Sequence, residues 1–395
     1  MNKDAPGKFV PLQPSQRSAV SPFMVMDVMA AAARIEEAGG KVVHLEVGQP
    51  AAPAPSTAIA AARAALGKGR FAYTESLGIP SLRARIARHY RESYGLKLDP
   101  ARVVVTTGSS AGFLLAFLAL FETGDRVALT EPGYPPYRHI LAALGCEPVP
   151  IRISGATRWA LTVEALIVEH RRKPLKGVLV ASPANPTGTM ITEEGLAQLI
   201  AASEDAGIKF ISDEIYHGLD YAFPAATAAR ISDRAVVINS FSKYFCMTGW
   251  RVGWMVVPEA LVRTVDRLQQ NFAISVPTLS QIAAEAAFDG SKEMEAVKAT
   301  YVENRRILTE GLPKAGLDTF LPADGAFYLY ADVSRFSNDS FEFAKRMLNE
   351  AHVAATPGAD FDPVEGQHFI RFCYAGASAD MQEAVARIGK FLQRG

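Results

Sequence analysis

Residues 235–257, AVVINSFSKYFCMTGWRVGWMVV, contain two apolar runs separated by a loop of small and aromatic residues. Each run is short and rich in β-branched residues, which is typical of a buried strand. Similar runs occur earlier in the chain, from about residue 102 onwards: VVVTT, RVALT, GVLVAS and KFISD. Amphipathic segments lie between several of them. This alternation predicts an α/β fold with a mainly parallel sheet covered by helices.

The flanking segments predict further elements and a division into domains. Helix candidates precede the alternating region at about residues 23–37, 57–66 and 79–94. Long helical patterns follow it to about residue 312, and short strands near residues 326–331 and 369–373 then indicate a smaller α+β domain. We expect an N-terminal arm and part of the small domain in residues 1–45, a large domain in residues 46–290, and a small C-terminal domain in residues 291–395.

The composition favours a globular protein that binds small molecules. The chain has 395 residues, of which 49% are hydrophobic and 21% charged, and its formal net charge is zero. This balance gives no electrostatic footprint for nucleic acid or an anionic membrane. The most apolar run, residues 113–121, is too short to cross a bilayer, and the N-terminus does not resemble a signal peptide. We therefore expect a cytoplasmic protein without a nucleic-acid or membrane partner.

The cysteines argue against a disulfide scaffold and against a metal site. Cys146, Cys246 and Cys373 are far apart in the sequence and form no CxxC pair. We expect no metal ion in this protein.

Lys243 is a candidate nucleophile. It follows an apolar strand and precedes aromatic and small residues, so its amine is expected to be partly desolvated. Desolvation lowers the pKa of a lysine, and the neutral amine attacks a carbonyl to form a Schiff base. Taken alone, a lysine at a strand end is more often a solvated surface residue. The neighbouring motifs favour the catalytic interpretation.

Asp213 and Tyr216 emerge together from the end of the apolar strand KFISD. A buried carboxylate needs a cationic partner, and the protonated pyridine nitrogen of a cofactor would provide one. The competing interpretation is that Asp213 caps a helix or turn.

Several hydroxyl groups and one arginine could bind a phosphate group. VVVTTGSSAGF runs from a strand through a Gly/Ser turn into an apolar helix, whose free backbone donors, with Ser109 and Ser110, could receive phosphate. Ser240, three residues before Lys243, and Arg251, eight residues after it, could complete the site. Ordinary N-capping by serine and an acidic partner for Arg251 are the alternatives.

Three further residues suggest contacts with a flat ring and a carboxylate. The proline-stiffened loop EPGYPPY presents Tyr134 for stacking on a heterocycle, and Asn185 in NPTG could direct its amide at a phenolic oxygen. Arg371 lies within the apolar strand HFIRFCYA, where an unpaired guanidinium would be costly. A substrate carboxylate would satisfy it, and a structural Asp or Glu partner is the alternative.

Taken in order, these motifs resemble the class I/II aminotransferases, which are fold-type I enzymes that depend on pyridoxal 5'-phosphate (PLP). The resemblance spans about residue 21 to the C-terminus and rests on Gly48, YTESLG from Tyr73, TTGSSAG, EPGYPPY, NPTG, DEIY, SFSK, GWRVGW, DGAFY and IRFCYA. It implies a large PLP-binding domain with a mainly parallel seven-stranded sheet between helices, and a small α+β domain. It also implies a ping-pong exchange of an amino group between an L-amino acid and a 2-oxo acid.

The resemblance also assigns roles to the candidate residues. Lys243 would carry PLP as a Schiff base and shuttle the proton, Asp213 would pair with the pyridine nitrogen, and Asn185 and Tyr216 would contact the phenolic oxygen. The remaining cofactor contacts would come from Tyr134 on the ring and from Ser109, Ser110, Ser240 and Arg251 on the phosphate. Arg371 and the backbone near Gly48 would bind the substrate carboxylate. Tyr73 would reach the phosphate of the neighbouring subunit in a homodimer with shared active sites.

Two segments depart from the usual pattern of the family. PGADFDPVEGQHFIRF replaces a shorter Gly-rich turn, and GQPAAPAPSTAI lacks an acidic residue after the early glycine. Both segments border the substrate side in the family, so they affect side-chain preference. The alternatives are a PLP-dependent carbon–sulfur β-lyase of the same fold and a non-catalytic PLP-binding regulatory module.

Overall fold

A computed structural model describes residues 12–69 and 71–393. Its strands are β1 (Val43–His44), β2 (Val103–Thr106), β3 (Arg126–Glu131), β4 (Glu147–Arg152), β5 (Gly177–Ala181), β6 (Lys209–Asp213), β7 (Val236–Ser240), β8 (Gly253–Val256), β9 (Tyr328–Asp332), β10 (Val353–Ala354), β11 (Thr356–Pro357) and β12 (Phe369–Cys373).

The α-helices alternate with these strands in the first two thirds of the chain. They are α1 (Met24–Glu37), α2 (Ser56–Gly67), α3 (Pro80–Tyr94), α4 (Gly108–Leu120), α5 (Pro135–Ala143), α6 (Val163–Arg172), α7 (Glu193–Asp205), α8 (Ala228–Ile231), α9 (Glu259–Phe272), α10 (Thr278–Ala287), α11 (Ser291–Lys314), α12 (Ser340–Ala351) and α13 (Ser378–Leu392). The predicted helices near residues 23, 57 and 79 are confirmed as α1, α2 and α3.

Seven strands of the described chain form the large sheet, in the order β2-β8-β7-β6-β5-β3-β4. The pairs from β7 to β4 are parallel, and β8 runs antiparallel to both of its neighbours. The interior strands β7 and β8 are buried along their whole length, as expected for a sheet covered on both faces by helices. The predicted mainly parallel sheet is therefore confirmed.

Strand β4 is the member of this sheet that the apolar runs do not indicate. Its sequence, EPVPIR, contains Pro148 and Pro150 and alternates between exposed and buried residues. It occupies the edge of the sheet, beside β3. Because proline has no backbone N–H to donate, it is tolerated in an edge strand, where one side of the ladder has no partner.

A smaller α+β layer is built mainly from the C-terminal third. Strands β11, β12 and β9 form an antiparallel sheet, and β1 pairs in parallel with β10. A buried cluster contains residues of β9, β12 and the helices α11, α12 and α13. The fold class of a large mainly parallel sheet with a small α+β domain is confirmed, while the domain boundaries at residues 45 and 290 stay a prediction.

The topology brings the ends of neighbouring strands to one edge of the large sheet. Ala181 at the end of β5 is in register with Asp213 at the end of β6, and Asp213 is in register with Ile238 of β7. Helix α4 begins at Gly108, directly after β2. Parallel strands end at the same edge, so the loops that carry the candidate residues converge there.

Among residues 12–69 and 71–393, no helix has both the length and the apolar character that crossing a membrane requires.

Candidate active site

A cavity of about 230 Å³ lies at this edge of the large sheet, between it and the smaller layer. Most of the residues expected to form the site line it: Gly48, Ser109, Ser110, Tyr134, Asn185, Tyr216, Lys243, Arg251 and Arg371. Asp213, Ser240 and Tyr73 are expected site residues that do not line it. The fold therefore brings together residues that are up to 323 positions apart, from Gly48 to Arg371.

Lys243 extends into the cavity from the loop after β7. Its Nζ donates a hydrogen bond of 2.6 Å to the carbonyl oxygen of Gly48 and lies 5.7 Å from the ring centroid of Tyr216. Burial lowers the pKa of Lys243 to about 8, and the positive charge of Arg371 also lowers it. A substantial fraction of this amine is therefore neutral near pH 8, as a nucleophile towards a carbonyl must be.

Asp213 lies behind the cavity wall and is only 2% exposed. One of its carboxylate oxygens accepts the backbone N–H of Ile215 at 3.1 Å, and the other accepts the hydroxyl of Tyr137. Burial raises the pKa of Asp213 to about 6, although both hydrogen bonds and the charge of Lys243 oppose this shift. The turn contact of the competing interpretation is therefore present as the bond from Ile215, and the bond from Tyr137 is a second, long-range contact.

Tyr137 is a residue that sequence reasoning missed. It lies in the first turn of α5, is 5% exposed and lines the cavity while donating to Asp213. The motif EPGYPPY contains two tyrosines, and only Tyr134 was singled out because the prolines restrict its loop. Two tyrosines three positions apart lie on one face of a helix turn, and that spacing could have indicated Tyr137.

The start of α4 and Arg251 form a cluster of free donors. Thr107 makes no side-chain capping hydrogen bond at the start of α4, and Ser109 and Ser110 in the first turn line the cavity. Gly108 has a φ of +72°, and a Cβ atom there would overlap the guanidinium of Arg251. A helix N-terminus beside a cation is suited to bind a phosphate group.

Arg251 has no ion pair with an acidic residue in the described part of the chain. Its Nη1 donates to the carbonyl oxygen of Thr248 at 3.1 Å, and its side chain is exposed towards the cavity. In residues 12–69 and 71–393 the side chain of Arg251 bonds to this backbone oxygen and to no carboxylate, so the alternative of an acidic partner is absent there. The positive charge remains available to an anion.

Ser240, the serine that the sequence indicates for the phosphate site, does not line the cavity, whereas Ser242 does. Ser240 is 2% exposed, and its hydroxyl donates to the Ser242 hydroxyl at 2.9 Å rather than to the cavity. Ser242 lines the cavity. In a strand that continues into a loop, residues two apart reach different depths, so SFSK alone does not decide which serine faces a ligand.

Arg371 is held in a polar and aromatic pocket although it is only 2% exposed. Its guanidinium donates to Asn185 Oδ1 at 2.9 Å, to Thr356 Oγ1 at 3.1 Å and to the backbone oxygen of Glu46. Its Nε has no partner among the described residues. None of these partners is a carboxylate of the described chain, so an exogenous carboxylate would complete the hydrogen bonding of Arg371.

Aromatic rings surround the Arg371 guanidinium and the Lys243 amine. The rings of Tyr328 and Phe361 lie 4.4 and 4.8 Å from the Arg371 guanidinium carbon. The hydroxyl groups of Tyr216 and Tyr328 are 2.7 Å apart. Tyr328, from the motif DGAFY, is a second residue of the cavity that was not assigned a role from the sequence.

Gly48 is required by its close neighbour Tyr328. A Cβ atom on Gly48 would overlap the Tyr328 hydroxyl, and the Gly48 carbonyl also accepts the Lys243 amine. Glycine allows the backbone to approach both groups.

Tyr134 and Tyr73 differ in their relation to the cavity. Tyr134 lines it, and burial raises the pKa of its hydroxyl to about 12. Tyr73 is 79% exposed and lies beside Val276 and Pro277 in a separate surface groove. The expected contact of Tyr73 with a neighbouring subunit stays a prediction.

The combination of this fold with this cavity agrees with the comparisons with known proteins. The family model for aminotransferases of class I and II matches residues 40–388. The valine–pyruvate aminotransferase of Mycobacterium tuberculosis is 50% identical over 380 residues, which cover 95% of this chain and 97% of that protein.

Solved structures show the same similarity over the whole fold. A crystal structure of an aminotransferase from Mycobacterium tuberculosis superimposes with a TM-score of 0.95 at 48% identity, covering 98% of this chain and 100% of the other. A putative aminotransferase from Silicibacter pomeroyi has a TM-score of 0.91 at 51% identity, covering 97% and 100%. The chain therefore belongs to the class I and II aminotransferase family and is an aminotransferase, and this family uses PLP.

Proposed function

We propose that this protein binds PLP at Lys243 and exchanges an amino group between an L-amino acid with a small apolar side chain and pyruvate. The observation that carries the proposal is the arrangement of three groups around one cavity. They are a partly neutral amine, Lys243, and two cations without acidic partners in the described chain, Arg251 and Arg371. The substrate pair is that of the valine–pyruvate aminotransferase of Mycobacterium tuberculosis, which is 50% identical to this chain.

The residues present fit PLP in the chemistry of their donors and acceptors. Arg251, Ser109, Ser110 and Ser242 would hold the phosphate, and Tyr134 would contact the ring. Asp213 is buried and its pKa is raised, so the carboxylate lacks a cation that a protonated pyridine nitrogen would supply. Asn185 and Tyr216 would donate to the phenolic oxygen, and Ser240 would orient Ser242 through their 2.9 Å hydrogen bond.

Bound PLP supplies an aldehyde for the lysine and an electron sink that stabilises negative charge on the substrate Cα atom. Arg371 orients the substrate by gripping its carboxylate, with the planar guanidinium held between two aromatic rings. Lys243 Nζ would take the proton from the substrate Cα and deliver it to the former aldehyde carbon of PLP, which requires an amine that is both neutral and mobile. The carbonyl of Gly48, 2.6 Å away, holds this amine at the cavity wall.

We further propose that the protein is a cytoplasmic homodimer in which Tyr73 contributes to the neighbouring active site. Two exposed apolar residues support a covered surface there: Phe71, which lines the same groove as Tyr73, and Ile274, which directly precedes the groove residue Ser275. Light scattering should give twice the chain mass of 42.5 kDa. A monomer with full activity would contradict the shared site.

The test of the function is an absorbance spectrum of the protein with PLP. A visible band should form in the wild type and be lost in Lys243→Ala, while Lys97→Ala, which changes an exposed lysine, should retain it. L-Valine without any oxo acid should convert the band to that of pyridoxamine phosphate, and pyruvate should then restore it.

The other outcomes distinguish the remaining functions of the fold. Release of pyruvate and ammonia from an amino acid with a leaving group at Cβ, without pyridoxamine phosphate, would indicate a carbon–sulfur β-lyase. A stable band that no amino acid changes would indicate a non-catalytic PLP-binding module. A wild type that forms no band would contradict the role of Lys243.

A further inference from the structure

Helix α1 covers the cavity with one face and packs on the smaller layer with the other. The packed face surrounds the buried Ala32 and contacts the apolar cluster that includes Val42, Leu348 and Ala354. An adjacent face contributes Val25, Met26 and Met29 to the cavity wall, and Phe23 precedes the helix at the same wall. This part of the cavity is therefore apolar and is formed by an element far in sequence from Lys243.

Phe23 links this apolar wall to the rest of the site. Its ring packs edge-to-face on Tyr134, with the ring centroids 6.0 Å apart and an angle of 83°. Met26 is 56% exposed, so its side chain borders the opening of the cavity. A substrate side chain that enters beside Tyr134 would meet Phe23 and Met26 on α1.

The start of α1 is capped from a distant part of the chain. Phe23 occupies the N-cap position and makes no side-chain capping bond, whereas Asp360 Oδ1 accepts the backbone N–H of Met24 at 3.3 Å. Asp360 is 2% exposed and lies in the segment that departs from the family pattern. A carboxylate at a helix N-terminus satisfies free N–H groups and interacts favourably with the helix dipole.

The segment around Asp360 is itself fixed, and it also contacts the carboxylate-binding arginine. The guanidinium of Arg138 donates to the backbone oxygen of Asp360 at 2.6 Å, and Ser340 Oγ accepts the backbone N–H of Ala359 at 3.2 Å. The next residue, Phe361, places its ring 4.8 Å from the Arg371 guanidinium. One short segment thus connects α1 with Arg371.

We propose that Asp360 is a specificity-determining positioning residue, which holds the first turn of α1 so that Phe23 and Met26 form an apolar wall for the substrate side chain. This inference rests on the proposed function and adds to it the means by which apolar donors are selected. Each methylene group that the wall buries contributes roughly fourfold to binding. A charged side chain would lose its hydration against the same wall without gaining a partner.

The test compares variants of the PLP-loaded enzyme in the half-reaction with L-alanine, L-valine or L-leucine, measured by loss of the visible band. Asp360→Ala should lower kcat/KM for L-valine and L-leucine by roughly fourfold for each methylene group that the wall no longer buries, mainly through KM. L-Alanine should be affected less because its side chain is too short to reach the wall. Asp360→Asn should restore the preference, since its amide oxygen can accept the same N–H.

Asp362→Ala is the matched control in the same segment. Asp362 is 3% exposed, and its carboxylate accepts the N–H groups of Val364 and Glu365 at 2.8 and 2.9 Å but not those of α1. Loosening the segment in this way should change kcat/KM by the same factor for all three amino donors. An equal loss for all donors in Asp360→Ala as well would overturn the proposal.

A second variant keeps the inference testable if Asp360→Ala fails to fold. Met26→Lys changes an exposed residue of the wall and should lower kcat/KM for L-valine while raising it for L-glutamate. Unchanged preferences in this variant would also overturn the role of α1. A wild type that reacts with none of the amino acids would contradict the proposed function itself, which separates that failure from a failure of this inference.

Discussion

Replacing Tyr137 by phenylalanine should make the stability of the cofactor-free protein more dependent on pH. The Tyr137 hydroxyl donates to Asp213, a carboxylate that is 2% exposed and whose pKa burial raises to about 6. A hydrogen bond to a charged acceptor contributes about 1.5–3 kcal/mol, and one to a neutral acceptor about 0.5–1.5 kcal/mol. The difference of about 1 kcal/mol should raise the pKa of Asp213 further, by nearly one pH unit.

The sign follows from the two states of the protein. The ordinary pKa of an aspartate is 3.8, below the value of about 6 in the folded protein, so ionised Asp213 opposes folding. The stabilisation that comes from keeping Asp213 protonated in the folded protein is fully present below pH 4. It is lost as the pH rises through the pKa that Asp213 has in the folded protein. In Tyr137→Phe this loss of stability should continue to about pH 7. The difference in free energy of unfolding between the wild type and the variant should therefore grow by about 1 kcal/mol between pH 5 and pH 8.

The assay is urea unfolding at pH 5, 6, 7 and 8, at one protein concentration because any dimerisation also contributes to stability. Tyr330→Phe is the control, since the Tyr330 hydroxyl is buried and has no partner among the described residues. Tyr330→Phe should change the free energy of unfolding by the same amount at each pH. An equal deficit for Tyr137→Phe at pH 5 and pH 8 would refute the argument that Tyr137 stabilises the ionised form of Asp213.

Three further predictions concern the groups that face the cavity. Gly108→Ala should weaken PLP binding at least tenfold because the new Cβ atom would overlap Arg251. The binding of pyridoxal, which lacks the phosphate, should be weakened much less. Both affinities can be measured by absorbance titration. Arg371→Lys should raise KM for amino donors by roughly a hundredfold through loss of the guanidinium fork, while the visible band with PLP remains unchanged. The rate of PLP capture should rise with pH and level off above about pH 8, because burial lowers the pKa of Lys243 to about 8; a stopped-flow rate that is constant from pH 6 to pH 9 would contradict this.

The strands and helices were largely predictable because they depend on local patterns. The apolar runs around Asp213 and Lys243 match β6 and β7, and the run 369–373 matches β12. Strand β4 was missed because Pro148 and Pro150 interrupt the pattern of a central strand, and an edge position tolerates them.

The cavity could be predicted in its main residues but not in its hydrogen bonds. The sequence indicates Lys243 by its desolvated place after an apolar strand and Arg251 by its spacing of eight residues from Lys243. It indicates Arg371 by the cost of an unpaired guanidinium within an apolar strand. Tyr137 and Tyr328 were missed, since their hydroxyl groups matter only through Asp213 and Tyr216, which lie 76 and 112 positions away. Ser242 rather than Ser240 faces the cavity because the chain turns after β7.

The sequence by itself determined the alternation of strands and helices, the loops that carry Lys243 and Asp213, and the resemblance to the aminotransferases. These features depend on residue spacing and on the cost of burying charge, which short segments already express. Only the tertiary structure decided that Lys243 meets the carbonyl of Gly48 and that Asp360 caps α1, 336 positions from Met24. Such contacts depend on how distant elements pack, and no local periodicity specifies that packing.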